Sequence, residues 1–285
     1  MNSILELFGI ASQKLDKASL KIALKRQICP FTEAACFKVR KSQSSIAIGT
    51  CSVGYGQENK QIIICPNRLL HKHQVFCDCI HLLTKHEPGN EFHVIPEISI
   101  PGGSIDFFLT SVRNAKVRDF VAIEFQTMDT TGSVWPERQR LLHEKGINVA
   151  PADIRSNKSF GMNWKMTAKT ILVQMHHKAE TFENLGKHIV LITQNHLLDY
   201  MRQEFRFEHL SLPARIGDSV HFHSYTFEED EKKNKFVLNL SSRLSTDTPG
   251  IASCLGLQSD TKIAMDEIIN KLERKISAKT LMTIV

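Results

Sequence analysis

Ser104–Thr110 is apolar around a single acid, Asp106, and Asp119–Thr127 is an apolar run that carries Glu124 and Gln126 two residues apart, which predicts two strands joined by a basic turn. Strand side chains alternate faces, so Ala122, Glu124 and Gln126 share one face and Val121, Ile123 and Phe125 take the other. In the first strand Ile105, Phe107 and Leu109 share a face and Asp106 points away from them. Pairing of the two strands would bring Asp106 and Glu124 together. Downstream the period changes. Ala168, Ile171, Leu172 and Met175 recur at helical spacing from about Trp164, and HIVLIT at 188–193 is a strand. NHLLDYMRQEF predicts a short amphipathic helix, and SVHFHSYTF with KFVLNLSS a hairpin around the charged turn EEDEKKN. TPGIASCLGL is expected to be a connection, and residues 260–277 a final helix with Ile263, Ile268, Leu272 and Ile276 on one face. Upstream, residues 3–10 and 13–27 are expected as two helices, the second with Leu15, Ala18, Ile22 and Ala23 on one side. HKHQVFCDCIH is expected to be a packed helix carrying Val75, Phe76, Ile80, Leu82 and Leu83 inward. Strand, helix and strand in that order, with hairpins, predict an α/β (α+β) core with a mixed sheet flanked by helices.

The chain has 285 residues, enough for a small module over residues 1–85 and a larger domain over 86–285. A net charge of +6 is mild, so a nucleic-acid surface would need local clustering. Lys14, Lys17, Lys21, Lys25 and Arg26 form such a cluster, and a solvated helix face accounts for it equally well. Arg138, Arg140, Arg155, Lys158 and Lys165 are further candidates for phosphate or guanine contacts. No stretch has the apolar length of a membrane span, and Glu6 interrupts MNSILELFGI where a signal peptide needs an apolar run. The expected location is the cytoplasm, where thiols stay reduced and seven cysteines call for a metal or for burial.

Asp106 lies in an apolar run after a Gly-Gly turn, and Glu124 inside VAIEF. An unpaired charge in such a place is costly, so each needs a partner or a metal. Two carboxylates on rigid strands suit Mg²⁺, which keeps several waters. The plainer alternative is a hairpin with acids on its wet face. Glu97 in NEFHVIPEISIPGG is a third acid, with Glu91 and Glu87 as weaker candidates, or it is a loop residue. Cys29, Cys36, Cys51 and Cys65 could wrap Zn²⁺ or one iron tetrahedrally, or be small buried hydrophobes. His71, His73, Cys77, Cys79 and His81 could form a different site. His221 and His223 share a strand face and are more simply structural.

The segment ID followed by VAIEFQ resembles the PD-(D/E)XK nuclease core, with Gln126 where most members carry Lys. Together with the cysteines of CPF…C…GTCS…CPNR it resembles the NotI-type restriction endonucleases, over roughly residues 25–195. The resemblance implies a type II site-specific endonuclease that cleaves double-stranded DNA at a GC-rich palindrome as a homodimer. Asp106 and Glu124 would bind Mg²⁺, Glu97 would assist, and Gln126 would position water. Cys29, Cys36, Cys51 and Cys65 would hold a structural iron. A structure-specific or repair nuclease, or an inactive metal-stabilised DNA-binding protein, are the alternatives. Gln, unlike Lys, can only orient water by hydrogen bonds.

Overall fold

A computed structural model describes residues 3–100, 103–155, 160–230 and 235–257, with Ile269, Glu273 and Arg274 besides. The expected helix over 260–277 lies outside the described residues, apart from those last three.

The N-terminal part is built on a small sheet. Strands β1 (Ile4–Leu7) and β2 (Ile10–Ala11) form a hairpin whose two-residue turn, Phe8 and Gly9, has positive φ at both positions. The expected helix over residues 3–10 is thus a strand pair. All four β1 residues are buried, and Glu6 does not break the apolar run because it is neutralised inside by Arg68. Helix α1 (Lys17–Arg26) starts later than expected, because the Asp16 side chain accepts from the Ser19 backbone N–H at 2.7 Å and fixes the first turn there. Its buried residue is Leu20, while Ile22 stands exposed, so the inward face differs from the expected one. Next come β3 (Val39–Arg40), β4 (Gln43–Ala47), β5 (Thr50–Tyr55) and β6 (Lys60–Ile63), with sheet order β2-β1-β5-β6 for the larger group. The segment HKHQVFCDCIH is broken into a single short helix, α2 (Gln74–Cys77), and a 3-10 turn, because Lys72 and His73 both adopt left-handed backbone. Val75, Phe76 and Leu82 are buried as expected.

The larger sheet follows. β7 (Glu91–Ile100), β8 (Gly103–Arg113) and β9 (Lys116–Gln126) form an antiparallel meander. After β10 (Thr130–Thr131), α3 (Trp135–Glu144), α4 (Pro151–Arg155) and β11 (Gly161–Met162), the 21-residue helix α5 (Trp164–Asn184) leads to β12 (His188–Gln194). β12 lies parallel to β9, so α5 is the crossover that a parallel pair requires. Helix α6 (Asn195–Glu204) connects to β13 (Val220–Asp230), which is parallel to β12, and β14 (Lys235–Thr246) returns antiparallel before α7 (Thr248–Cys254). Sheet order is β14-β13-β12-β9-β8-β7. Every residue of β12 is buried, as its unbroken HIVLIT run predicts for a strand covered on both faces. The expected connection at TPGIASCLGL is helical instead, because Asp247 caps the Gly250 N–H at 2.8 Å and Pro249 fits the first turn. The chain is therefore a mixed α/β protein with helices around mixed sheets.

Two hydrophobic layers hold the sheet. Ala168, Ile171, Leu172, Met175, Ala179 and Phe182 of α5 pack on the face carrying Phe108, Ala122 and Leu191. The opposite face, with Leu109, Val121, Ile123 and Phe125, is covered by Leu69, Val75, Phe76 and Leu82. The first layer also contains Ile4, Leu7 and Val53, so the small sheet and the large one share a core. Arg68 joins them directly: its Nε donates to Glu6 Oε2 at 2.9 Å and its Nη2 to the Phe236 carbonyl on β14 at 2.7 Å.

Candidate functional site

Register decides which side chains meet. Across β7 and β8 the pairs Pro96↔Phe107 and Ile98↔Ile105 set Glu97 opposite Asp106. Across β8 and β9 the pair Phe107↔Ile123, extended by one residue, sets Asp106 opposite Glu124. Three acids thus line up across three neighbouring strands on the face that α5 covers. Asp106 and Glu124 converge as the alternation predicts. Ile105 departs from the expected grouping, packing in the α5 layer and not with Phe107 and Leu109. Glu91 and Glu87 are elsewhere: Glu91 pairs across from Val112 and Glu87 bonds Arg113 at 3.3 Å. Six residues of strand put Glu91 about 20 Å from Glu97.

Each carboxylate has a distinct environment. Asp106 is half-buried and its Oδ2 accepts the Phe125 backbone N–H at 2.8 Å. Burial raises its pKa above the ordinary aspartate value; the Phe125 bond and the charge of Lys178 pull it back, and Glu97 pushes it up again. Glu124 is buried, and burial pushes it up to about 7 against a hydrogen bond from Lys178, with the Asp106 charge adding to the rise. Glu97 is exposed at the edge strand, with a left-handed φ of 49° that a glutamate rarely adopts.

Lys178 is the residue that the sequence reading did not single out. It projects from α5 with its Nζ 2.6 Å from Glu124 Oε1 and 2.7 Å from the Ser104 carbonyl, and its side chain is 7% exposed. One signal was available. Lys178 interrupts the apolar stripe Ile171, Met175, Phe182 of a helix whose other lysines are exposed, and a charge on a buried stripe asks for a partner. Gln126 is not brought to the carboxylates by any hydrogen bond: its Nε2 donates to the Thr127 carbonyl at 2.7 Å.

The expected four-cysteine metal module is not shown. Among the described residues no three His, Cys, Asp or Glu side chains are arranged to hold a metal ion. The seven cysteines are free thiols. Cys29, Cys51 and Cys65 are buried and Cys36 half-buried. They are neighbours nonetheless. Burial raises the Cys65 thiol, Lys38 lowers it, and Cys36 and Cys29 raise it further, while Cys51 feels Cys65. Lys38 Nζ bonds the Ile64 carbonyl beside them.

The second candidate group disperses. His71 packs edge-on to Phe31, His73 lies against Phe76, and Cys77 is exposed. His81 instead stacks on His223 at 5.9 Å between ring centres, and Cys79 Sγ lies 3.6 Å from His223 Nδ1. His221 and His223 are both buried with ring centres 6.4 Å apart.

Among the basic residues, Arg138 is removed from any DNA-facing role. It is 2% exposed, donates to the Ile48 carbonyl at 2.6 Å and the Ala47 carbonyl at 3.2 Å, and stacks on Trp135. Arg140 is bound to Glu137. Arg155 and Lys165 are exposed, as are Lys14, Lys17, Lys21, Lys25 and Arg26, and Lys158 lies outside the described residues. Among the described residues no helix is long and apolar enough to cross a membrane.

No protein-family model matches the chain, and no curated protein is significantly similar to it.

Proposed function

We propose that the chain is a Mg²⁺-dependent phosphodiesterase acting on double-stranded DNA, of the site-specific kind that its ID…VAIEFQ motif resembles. One observation carries the reading: Glu97, Asp106 and Glu124 stand in register across an antiparallel meander whose last strand leads through a crossover helix to a parallel neighbour. The acids at those strand positions support the nuclease reading that the resemblance implies.

On this reading Asp106 and Glu124 would be the two carboxylates that hold a hard divalent cation. Asp106 feels the charges of Lys178 and Glu97, and Glu124 those of Lys178 and Asp106, so three acids stand beside one ammonium. Mg²⁺ needs one or two carboxylates and keeps its remaining waters, so Asp106 and Glu124 suffice, with Glu97 reaching it through water. When bound, the cation supplies charge stabilisation to a phosphoryl group under attack. The chain's own residues do the rest. The Phe125 N–H fixes the Asp106 carboxylate, the Lys178 bond fixes Glu124, and the exposed edge at Glu97 admits the substrate. The exposed basic face of α1 gives sequence-independent affinity for phosphates. A palindromic target and a homodimer accompany the reading, since a two-fold protein matches a two-fold site.

The test is purified protein on unmethylated, GC-rich plasmid and phage DNA, with Mg²⁺ and with EDTA, beside Asp106→Ala. Discrete fragments that need Mg²⁺ and vanish in the variant are expected. Nicking without defined ends would favour a structure-specific or repair nuclease. Tight site-specific binding without cleavage would leave an inactive DNA-binding protein.

A further inference from the structure

We propose that Lys178 is a catalytic residue of this site, its ammonium brought by helix α5 to do what an amide at strand position 126 cannot. The inference rests on the phosphodiesterase reading above and adds the identity of the positively charged group.

The geometry makes the assignment specific. An ammonium has three donors. Two are spent on Glu124 Oε1 at 2.6 Å and the Ser104 carbonyl at 2.7 Å, and the third is left for a ligand beside the carboxylates. The α5 stripe around it is rigid: Met175 one turn before is fully buried and Phe182 one turn after is 1% exposed. Gln126 spends an Nε2 donor on the Thr127 carbonyl. A buried ion pair is weak evidence for stability, because desolvation of both charges offsets their attraction and apolar replacements are often neutral or better. A purely structural account of Lys178 therefore explains little.

In the reaction a water oxygen forms a bond to phosphorus as the bond from phosphorus to the leaving sugar oxygen breaks. The electron pair goes with that oxygen, which takes up a proton, and the attacking water gives one up to solvent. Lys178 donates its free N–H to a non-bridging phosphate oxygen, holding the phosphorus in line and countering the charge that builds there.

The experiment compares wild type with Lys178→Met, which keeps the stem and removes the charge, and with Lys178→Met combined with Gln126→Lys. Single-turnover cleavage of linear phage DNA in Mg²⁺ is measured beside Mn²⁺ binding by calorimetry without DNA. Lys178→Met is expected to cleave at least 100-fold more slowly and to bind Mn²⁺ at least fivefold more tightly, because the carboxylates lose the ammonium beside them. The added strand lysine is expected to restore at least tenfold of the rate. Should the Met variant fail to fold, Lys178→Gln carries the same comparison. Cleavage by Lys178→Met within threefold of wild type would overturn the inference while leaving the nuclease reading intact. Wild type that binds Mn²⁺ yet cleaves no DNA would overturn both.

Discussion

Replacing Glu124 by Gln tests whether burial or ion pairing governs the centre of the site. An ordinary glutamate titrates at 4.5, whereas Glu124 is pushed up to about 7, chiefly by its burial. Between those two values the folded chain keeps a proton that the unfolded chain has released. Stability therefore falls as pH rises through this window and levels off above the folded value. At about 1.4 kcal/mol per pH unit the fall is ~3 kcal/mol. Gln cannot ionise, so Glu124→Gln escapes it. Urea unfolding in EDTA, run at pH 4 and pH 8 on both proteins, isolates the effect because all other titrating groups are shared. The gap between the proteins should move in favour of the variant by ~3 kcal/mol from pH 4 to pH 8, which is roughly 1 M in the urea midpoint for a slope of about 3 kcal/mol/M. A variant less stable than wild type at pH 8, or a gap that does not change with pH, would refute the reasoning. Either would mean that the bond to Lys178 outweighs the burial of the carboxylate.

Other perturbations probe other parts of the fold. Burial holds His221 at about 4, below the ordinary 6.5, so the unfolded chain takes up its proton first as pH falls. Stability should drop by ~3 kcal/mol between pH 6.5 and 4, and His221→Gln should lessen that acid drop in a denaturant series. Arg68→Met leaves Glu6 buried without its partner and should cost ~3–5 kcal/mol, with a large part recovered when Glu6→Gln is added; a loss under 1 kcal/mol would deny the join between the sheets. Leu172→Ala, at a fully buried position of α5, should cost about 2–5 kcal/mol by equilibrium unfolding.

The parts of the fold that repeat a period were readable in the chain. Glu124 and Asp106 follow from alternation along two strands, and Leu172 and Met175 from the 3.6-residue spacing of α5. Failures occurred where a tertiary partner reversed a local signal. Glu6 reads as a polar break in an apolar run, yet Arg68, 62 residues away, makes it a buried strand residue. Arg138 reads as a surface cation, yet the carbonyls of Ala47, at the end of β4, and of Ile48 take up its donors. Lys178 belongs to the same class: its helix shows only that a charge sits on an apolar stripe, and the partner that explains it is 54 residues upstream. The left-handed pair Lys72 and His73 broke a helix that the apolar spacing alone would have continued.

The same physics ties the stability of the site to its chemistry. Strands fix Asp106 and Glu124 to the backbone, since β8 and β9 are hydrogen-bonded on both sides, whereas the ammonium arrives from a different layer. Holding a glutamate proton near neutral pH costs the folded chain stability that a Gln would return, and a lysine in an apolar stripe adds a second cost. Such local conflicts are expected where a site has work to do besides folding. A surface hairpin with two stray acids, the plainer alternative, would show neither the burial of Glu124 nor a cation delivered to it by a helix. The two costs fall on one pair of side chains. It follows that the substitution expected to stabilise the protein, Glu124→Gln, is also the one that the proposed nuclease reading expects to abolish cleavage of DNA.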